Sequence, residues 1–422
     1  MERKIYLIVI LLSFVMVSRA VPADSILLGA NAANMVFYKL SNGTKTVASN
    51  TDWHIALSMR PAIIPKSTNR AVCIRINGAA GVKLYHAAGK DTSSFSTLDT
   101  TGYRTWPQYF DGDTNWNLGA FNATKNFADD FNYGWGEYVI SGNVHSVVGD
   151  SLFLLQLPDG SLKKLSILSD WKDTVMYFQF ANIDNSGFML QAVSKKQYGT
   201  KNFVYYDLQN HVVHDKEPAS GDWDLLFTRY TTTNHSSLAL TEDMGVLQNE
   251  YVSAVQTDYP ESLESYYGGP LLPSMNVIGK NFRNAAGDSV YSDRAFFVKG
   301  RDGAQYKLQF TAFGGTSNGM YAFNKTLAAA NGIEERENQS LQIVLMPNPV
   351  HGAAIIRMEA GSNCTALLEI CDISGRNVMS QQLELESGRN DLALPVQQLQ
   401  TGAYVLKVQT GSETAHLRMV VE

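Results

Sequence analysis

Eight histidines are spread along the 422 residues: His54, His86, His145, His211, His214, His235, His351 and His416. Metal chemistry needs such ligands on one face, and neither H-E-x-x-H nor H-x₃₋₅-H stands on a helical pattern. His211 and His214 sit between two strand-like runs, without a carboxylate or thiol ligand beside them, as turn residues do. The stretch "GTSNG" (Gly315–Gly319) spells G-x-S-x-G. A nucleophile elbow places a strand before the serine and a helix after it. Here "YKLQFTAF" precedes it and the alternating "MYAFNKTL" follows, so a glycine-rich hairpin is expected. No Ser/His/Asp or Cys/His constellation and no phosphate-cradling loop is legible, so the chain is not expected to be an enzyme. Of the three cysteines, Cys364 and Cys371 flank "TALLEI", one extended run. At ~3.3 Å per residue they lie about 23 Å apart, beyond the ~7 Å that a disulfide can bridge. Together with Cys73 they are expected to be small hydrophobic side chains.

The elements that would position any site are mostly strands. Hydrophobic residues make up 45% and aromatics 11% of the chain, with 20 Tyr, 19 Phe and 33 Gly. Period-2 runs bounded by Gly, Asn and Asp dominate, which is the strand signature. A net charge of −6 without a basic stripe argues against nucleic acid as a partner. At the N-terminus, Arg3 and Lys4 precede an apolar run from Ile5 to Val17 and then Ser18 and Ala20. This is the layout of a secretory signal peptide over 1–20, cleaved after Ala20. The run is shorter than the ~20 residues that span a bilayer, and no later segment is longer.

The chain also repeats itself. "NMVFYKL…NTDWHIALSM" (Asn34–Met59) matches "NFVYYDL…SGDWDLLFT" (Asn202–Thr228), and "LFLLQLPDGSLKKLSIL" (Leu152–Leu168) matches "AFFVKGRDGAQYKLQFT" (Ala295–Thr311). Asp159-Gly160 and Asp302-Gly303 mark hairpins, with a type I′ turn expected from the Asp-Gly pair. In each copy an Asp-Trp pair enters a strand. Asp52 and Asp222 are expected to accept backbone N–H groups and fix the turn. Trp53 and Trp223 are expected to anchor the core, each on one face with the alternate residues that follow, Ile55, Leu57 and Met59 in the first copy. The opposite face differs, His54 against Asp224, so the copies need not share a ligand. The expected division is a signal peptide at 1–20, β domains at 21–195 and 196–331, a polar linker at 332–341 and a small β-sandwich at 342–422.

Two family resemblances follow from these residues. "MPNP" (Met346–Pro349), "DISGRNV" (Asp372–Val378), "GRNDLAL" (Gly388–Leu394) and "LQTGAYVLKVQTG" (Leu399–Gly411) resemble the type A sorting domain of the Bacteroidetes type IX secretion system. That resemblance implies recognition by the secretion machinery, removal of the domain, and release or attachment to surface lipopolysaccharide. The repeats resemble the HmuY family of haem-binding surface proteins, through "FYKL", "DWHIALS", "AVCIRINGAAGV" (Ala71–Val82) and "GDSLFLLQLPDGSLKKLSIL" (Gly149–Leu168). The second copy keeps "YYDL", "DWDLLF" and "FFVKGRDGAQYKLQF", but "TEDMGVLQN" stands where "IRINGAAG" would fall. The expected fold is thus mainly β, two related antiparallel HmuY-like domains followed by an Ig-like sandwich. The resemblance implies haem as a ligand. Haem iron takes His or Met axial ligands, and the candidates are His86, His145 and Met59, then Met176 and Met189. The alternative is a surface adhesion or glycan-binding module, with Trp106, Trp116 and Trp135 as stacking platforms.

Overall fold

The computed structural model describes residues 24–421 except 60–71, 143, 172–173, 234–238, 259–269, 288, 329–341, 347–349, 351–353, 361–362, 373–374, 387, 395, 397–398 and 412–413. The signal peptide with Ala20, the linker at 332–341, His235 and His351 lie outside the described residues. Two compact units are present, 1–329 and 330–422.

In the first unit the strands are β1 (Asp24–Leu27), β2 (Asn34–Tyr38), β3 (Lys45–Ser49), β4 (Ile55–Ser58), β5 (Ile74–Ile76), β6 (Lys83–His86) and β7 (Gln108–Tyr109). They continue as β8 (Gly136–Ser141), β9 (Val144–Gly149), β10 (Phe153–Gln156), β11 (Leu162–Trp171), β12 (Val175–Asn182), β13 (Met189–Ser194), β14 (Phe203–Asp207) and β15 (Val212–His214). The last six are β16 (Leu225–Thr233), β17 (Leu240–Gln248), β18 (Ser253–Asp258), β19 (Arg294–Lys299), β20 (Gln305–Phe313) and β21 (Met320–Leu327).

The described strands of this unit form four antiparallel sheets. Two outer sheets run β13-β12-β11-β10-β6-β7, with β9 on β11 and β8 on β9, and β1-β21-β20-β19-β18. Two inner sheets run β15-β14-β4-β5 and β17-β16-β2-β3. The inner strands explain the sequence. Val204 and Tyr206 of β14 face one outer core while Phe203 and Tyr205 face a central one. Val36 and Tyr38 of β2 face the other outer core, and Met35 and Phe37 again face the centre. Strands apolar on both faces must lie between layers, so "NMVFY" and "FVYYD" form the middle of a four-layer stack.

The pairings show that the copies are interlocked. β2, at the start of the first copy, pairs with β16 of the second, Phe37 opposite Leu226. Reciprocally β14 pairs with β4, Tyr205 opposite Ala56. The exchange begins earlier than the sequence match: β13 completes the sheet of β12, and β1 completes that of β21, Asp24 facing Phe323. Each copy therefore lends its opening arm to the other.

The phase of the repeated tryptophans differs from the expected one. Trp53 packs in the central core with Ala56, whereas Ile55, Leu57 and Met59 face the outer core. Trp223 likewise shares the centre with Leu226, opposite Leu225 and Phe227. The strands begin only at residues 55 and 225, and the bend just before them breaks the alternation on which a period-2 count depends. The Asp-Gly hairpins also differ from type I′. Only Gly160 and Gly303 have positive φ, and their N–H groups bond to Leu157 and Gly300 three residues back. This is a type I turn closed by a left-handed glycine. "GTSNG" is one helical turn, Gly315–Asn318, joining the antiparallel β20 and β21, and Ser317 Oγ donates to the Gly314 carbonyl.

The second unit contains β22 (Gln342–Met346), β23 (Ala354–Ala360), β24 (Cys364–Asp372), β25 (Asn377–Leu385), β26 (Gly388–Leu394), β27 (Gly402–Gln409) and β28 (Thr414–Val421). They form sheets β22-β23-β26 and β25-β24-β27-β28 around one apolar core that includes Ile356, Leu368, Leu406 and Met419. Cys364 and Cys371 lie on the single strand β24, too far apart along it to bridge, and Cys73 is buried.

Candidate functional site

The central core is where the two copies meet, and its two ends are built alike. His54 N–H donates to the Tyr206 carbonyl and Asp224 N–H to that of Tyr38. His54 Nδ1 accepts the N–H of Leu208 at 3.1 Å, and Asp224 Oδ2 accepts that of Leu40 at 2.8 Å. His54 is buried, and burial holds its imidazole below the usual histidine range against the nearby Asp207. The same Nδ1 lies 3.2 Å from Asp207 Oδ1. The two differing residues of the repeat do the same structural job, one as an imidazole and one as a carboxylate.

The turn itself is held by residues the Asp-Trp motif does not include. Asn77 Nδ2 donates to the carbonyls of Asn50 (2.9 Å) and Trp53 (3.1 Å), while Asn249 Nδ2 donates to those of Ser220 (2.8 Å) and Trp223 (2.7 Å). Asp52 instead pairs with Lys216, and Asp222 is exposed, so the expected backbone-capping role passes to the asparagines. A short aspartate on an exposed turn reaches a lysine or water more readily than a buried N–H. The signal was present, since Asn77 in "IRINGAAG" and Asn249 in "VLQNEY" follow matching strands. Trp53 meets Tyr205 edge-on at 4.8 Å, and Trp223 meets Phe37 at 5.1 Å, so the tryptophans are core anchors in both copies.

Between these ends lies a cavity of about 70 Å³, walled by Met35, Trp53, Ala56, Trp116, Phe203, Tyr205, Leu226 and Tyr230. Its polar side is built from Arg75 on β5, Asp111, and Glu242 on β17. Arg75 is buried; its Nη2 donates to the Gly112 carbonyl at 2.7 Å, its Nε is 3.6 Å from Asp111 Oδ2, and its guanidinium lies 5.3 Å from the Trp116 ring. Asp111 Oδ1 accepts the Ala120 N–H at 2.8 Å, and the carboxylate also receives that of Ile76. Burial pushes the Asp111 carboxyl up, and Arg75 pulls it back. Glu242 accepts from the Thr231 hydroxyl through Oε1, and burial pushes its carboxyl up as well. Two polar atoms here are enclosed and without a partner: Arg75 Nη1 and Glu242 Oε2. Buried donors and acceptors are almost always satisfied, so this pair marks a place where something else completes the bonding. An outer cleft of about 450 Å³ adjoins the chamber and shares Ile76, Gly78, Ala79, Arg229, Thr231 and Glu242 with it.

The candidate haem ligands lie elsewhere. Neither cavity is lined by His86, His145 or Met59. Met59 is packed in the outer core. His86 sits between the rings of Tyr109 and Phe153, and burial holds it below the usual range. His145 Nδ1 bonds to the Tyr138 hydroxyl at 2.7 Å. His86 faces Phe153, which faces Leu165, whereas Ser146 beside His145 faces Trp171. At ~3.3 Å per residue along β11, the two histidines are separated by about 20 Å. One iron cannot take both. Met176 is fully buried in the same core, with Met189 packed against it. Among the described residues, no three His, Cys, Asp or Glu side chains cluster as a metal site. Of the tryptophans proposed as stacking platforms, Trp135 is buried in the outer core, Trp106 packs partly buried against Phe95 and Leu98, and Trp116, also buried, walls the cavity. Arg75 stands in the "IRINGAAG" block and Glu242 in "TEDMGVLQN", neither of which marks a site, and Asp111 belongs to no motif. Their only sequence trace is a charge inside an otherwise apolar strand, as in "VCIRI".

The fold and site define a mainly β protein with a cleft at the seam of two interlocked repeats, followed by a separate β-sandwich. Residues 344–422, the sandwich, match the secretion system C-terminal sorting domain family. The protein is therefore a type IX secretion substrate, secreted or attached to the outer cell surface of a Bacteroidetes-type bacterium. No curated protein matches the chain. Among solved structures, it shows similarity to dimeric latent PorU from Porphyromonas gingivalis, at 11% identity and a TM-score of 0.18, covering 68% of this chain and 32% of that one. The chain thus spans about a third of PorU's length, and a likeness that weak leaves the fold to rest on its own pairings.

Proposed function

We propose that this is a non-catalytic binding protein of the cell surface, which holds a small polar ligand in the cleft at the seam between its two repeats. In this reading the sorting domain is removed on export, and the remainder is released or attached to lipopolysaccharide. The observation that carries it is the pair of enclosed, unpartnered atoms in one cavity, Arg75 Nη1 and Glu242 Oε2. Leaving such groups bare costs ~1–3 kcal/mol each, a cost that a ligand with matching groups removes. The cavity's other polar groups are tied into the framework, Asp111 to backbone N–H groups and Arg75 to Gly112. That arrangement suits binding better than proton transfer.

Haem, implied by the HmuY resemblance, needs axial ligands brought to one slot. The separation of His86 from His145 and the burial of Met59 favour the cleft over a haem slot. The test is to titrate the mature chain and its Arg75→Met variant with haem, free amino acids and neutral oligosaccharides, following tryptophan fluorescence and the Soret band. Saturable binding weakened at least tenfold in Arg75→Met supports the cleft. A Soret shift that survives Arg75→Met but is lost in His86→Ala or His145→Ala moves the site and makes haem the ligand. Binding indifferent to Arg75, or none at all, ends the proposal.

A further inference from the structure

The chemical class of the ligand can be taken further; this step rests on the cleft being the binding site. We propose that the inner chamber receives a neutral, hydroxylated end group, a terminal sugar residue of an oligosaccharide whose remaining units lie in the outer cleft.

Three observations lead there. The first is charge. Arg75 already has Asp111 beside it, Nε to Oδ2 3.6 Å, and Asp111 in turn accepts two backbone N–H groups. The guanidinium therefore offers a spare N–H and little uncompensated charge, which favours a neutral oxygen over a second carboxylate. The second is the pairing of what is left bare. Arg75 Nη1 can only donate, and Glu242 Oε2 as a carboxylate can only accept. A polyol carries both functions, a hydroxyl oxygen to accept from Arg75 and a hydroxyl proton to donate to Glu242. The third is size and wall chemistry. At ~10–15 Å³ per water, 70 Å³ holds about five waters, which is room for one edge of a sugar ring and not for a porphyrin. Trp53 and Tyr205 wall the chamber, flat apolar surfaces against which the C–H face of a ring packs while its hydroxyls bond at the edge. The adjoining 450 Å³ cleft continues outward past Ala80, Gly81 and Lys83 and accommodates further units.

Gly78 keeps Glu242 in place. A Cβ there would stand 2.5 Å from Glu242 Oε1, so any larger residue pushes the carboxylate aside.

The experiment uses the full mature chain and an array of neutral and sialylated oligosaccharides, with glycine and alanine as zwitterionic probes, read by calorimetry. The expected result is saturable binding of neutral oligosaccharides, weakened about 10- to 100-fold in Arg75→Met and Glu242→Leu, the loss of one hydrogen bond to a charged group. Glu242→Gln, which keeps an acceptor oxygen, should retain binding within about threefold. Gly78→Ala, which touches neither group's chemistry, should weaken binding by displacing Glu242. Amino acids bound in place of sugars, with Glu242→Gln as damaging as Glu242→Leu, would overturn the sugar class while leaving the cleft intact. Sugar binding unaffected by Arg75→Met and Glu242→Leu would overturn both. Failure of every array sugar to bind also overturns the class, and equal thermal unfolding of wild type and variants shows that a loss is not misfolding.

Discussion

Replacing Asn77 or Asn249 with alanine should destabilise the first unit far more than a polar-to-alanine change on a turn ordinarily does. Asn77 loses two donated bonds, to Asn50 and Trp53, and the one its Oδ1 accepts from Ala80 N–H. Asn249 loses bonds to Ser220 and Trp223 and those accepted from Asn202 and Glu250. Each bond is worth ~1 kcal/mol net, and a buried carbonyl left bare costs ~1–3 kcal/mol. The expected loss is about 2–5 kcal/mol for either variant. For a unit of this size, ~2 °C per kcal/mol gives a fall in Tm of about 4–10 °C. Urea unfolding followed by tryptophan fluorescence reads it directly, because Trp53 and Trp223 stand on the turns being released. The reasoning also predicts that the two variants behave alike, since the same geometry is built twice. Losses below ~1 kcal/mol in both would show that the turns are held by the tryptophans alone. A large loss in one and none in the other would refute the equivalence.

Three further outcomes follow. His54 is held below the usual histidine range by burial, so its neutral form contributes stability present above the unfolded value near 6.5 and lost as pH falls toward the lowered folded value; His54→Asn, which keeps a neutral acceptor, should flatten that limb in a pH series of unfolding curves, and an unchanged limb would assign the acid sensitivity elsewhere. Lys195 and Asp170 form a buried ion pair at 2.6 Å, so Asp170→Ala should cost ~3–5 kcal/mol, while the joint change to Met and Leu should be nearly neutral; a double variant as unstable as the single would sink this. Removing the arm through Ser49 strips partners from β16 and β21, and the truncated chain should aggregate or dimerise unless a peptide of residues 24–49 is added; a soluble, native-like monomer on size exclusion would contradict the exchange.

Much of the scaffold is legible in the residues. The Asp-Trp and Asp-Gly pairs mark the duplication, and alternating runs mark the strands and the C-terminal sandwich. What hides is partnership. "FVYYD" reads as a strand apolar on both faces whichever copy supplies its neighbour, because pairing leaves no mark on a single strand's composition. The tryptophan phase hides for a related reason: a bend at residue 54 resets the alternation without changing the letters. The cleft is less visible still. Arg75, Asp111 and Glu242 come from three separate segments, and only the folded seam brings them to one chamber. His86, His145 and Met59 have the right chemistry for iron, and the sheet register places the two histidines far apart.

The reciprocal arms also impose an order of events on the chain's export. Asp24 opens β1, yet its partner Phe323 is synthesised only after nearly the whole repeat region. Neither outer core can close early: β13 and β14 must follow the first copy, and β1 and β2 must wait for the second. Such distant pairings fold slowly, and the waiting chain carries open strand edges. The sorting domain follows β21, the strand that completes the stack. A signal placed there stands behind every strand that the first unit needs to close.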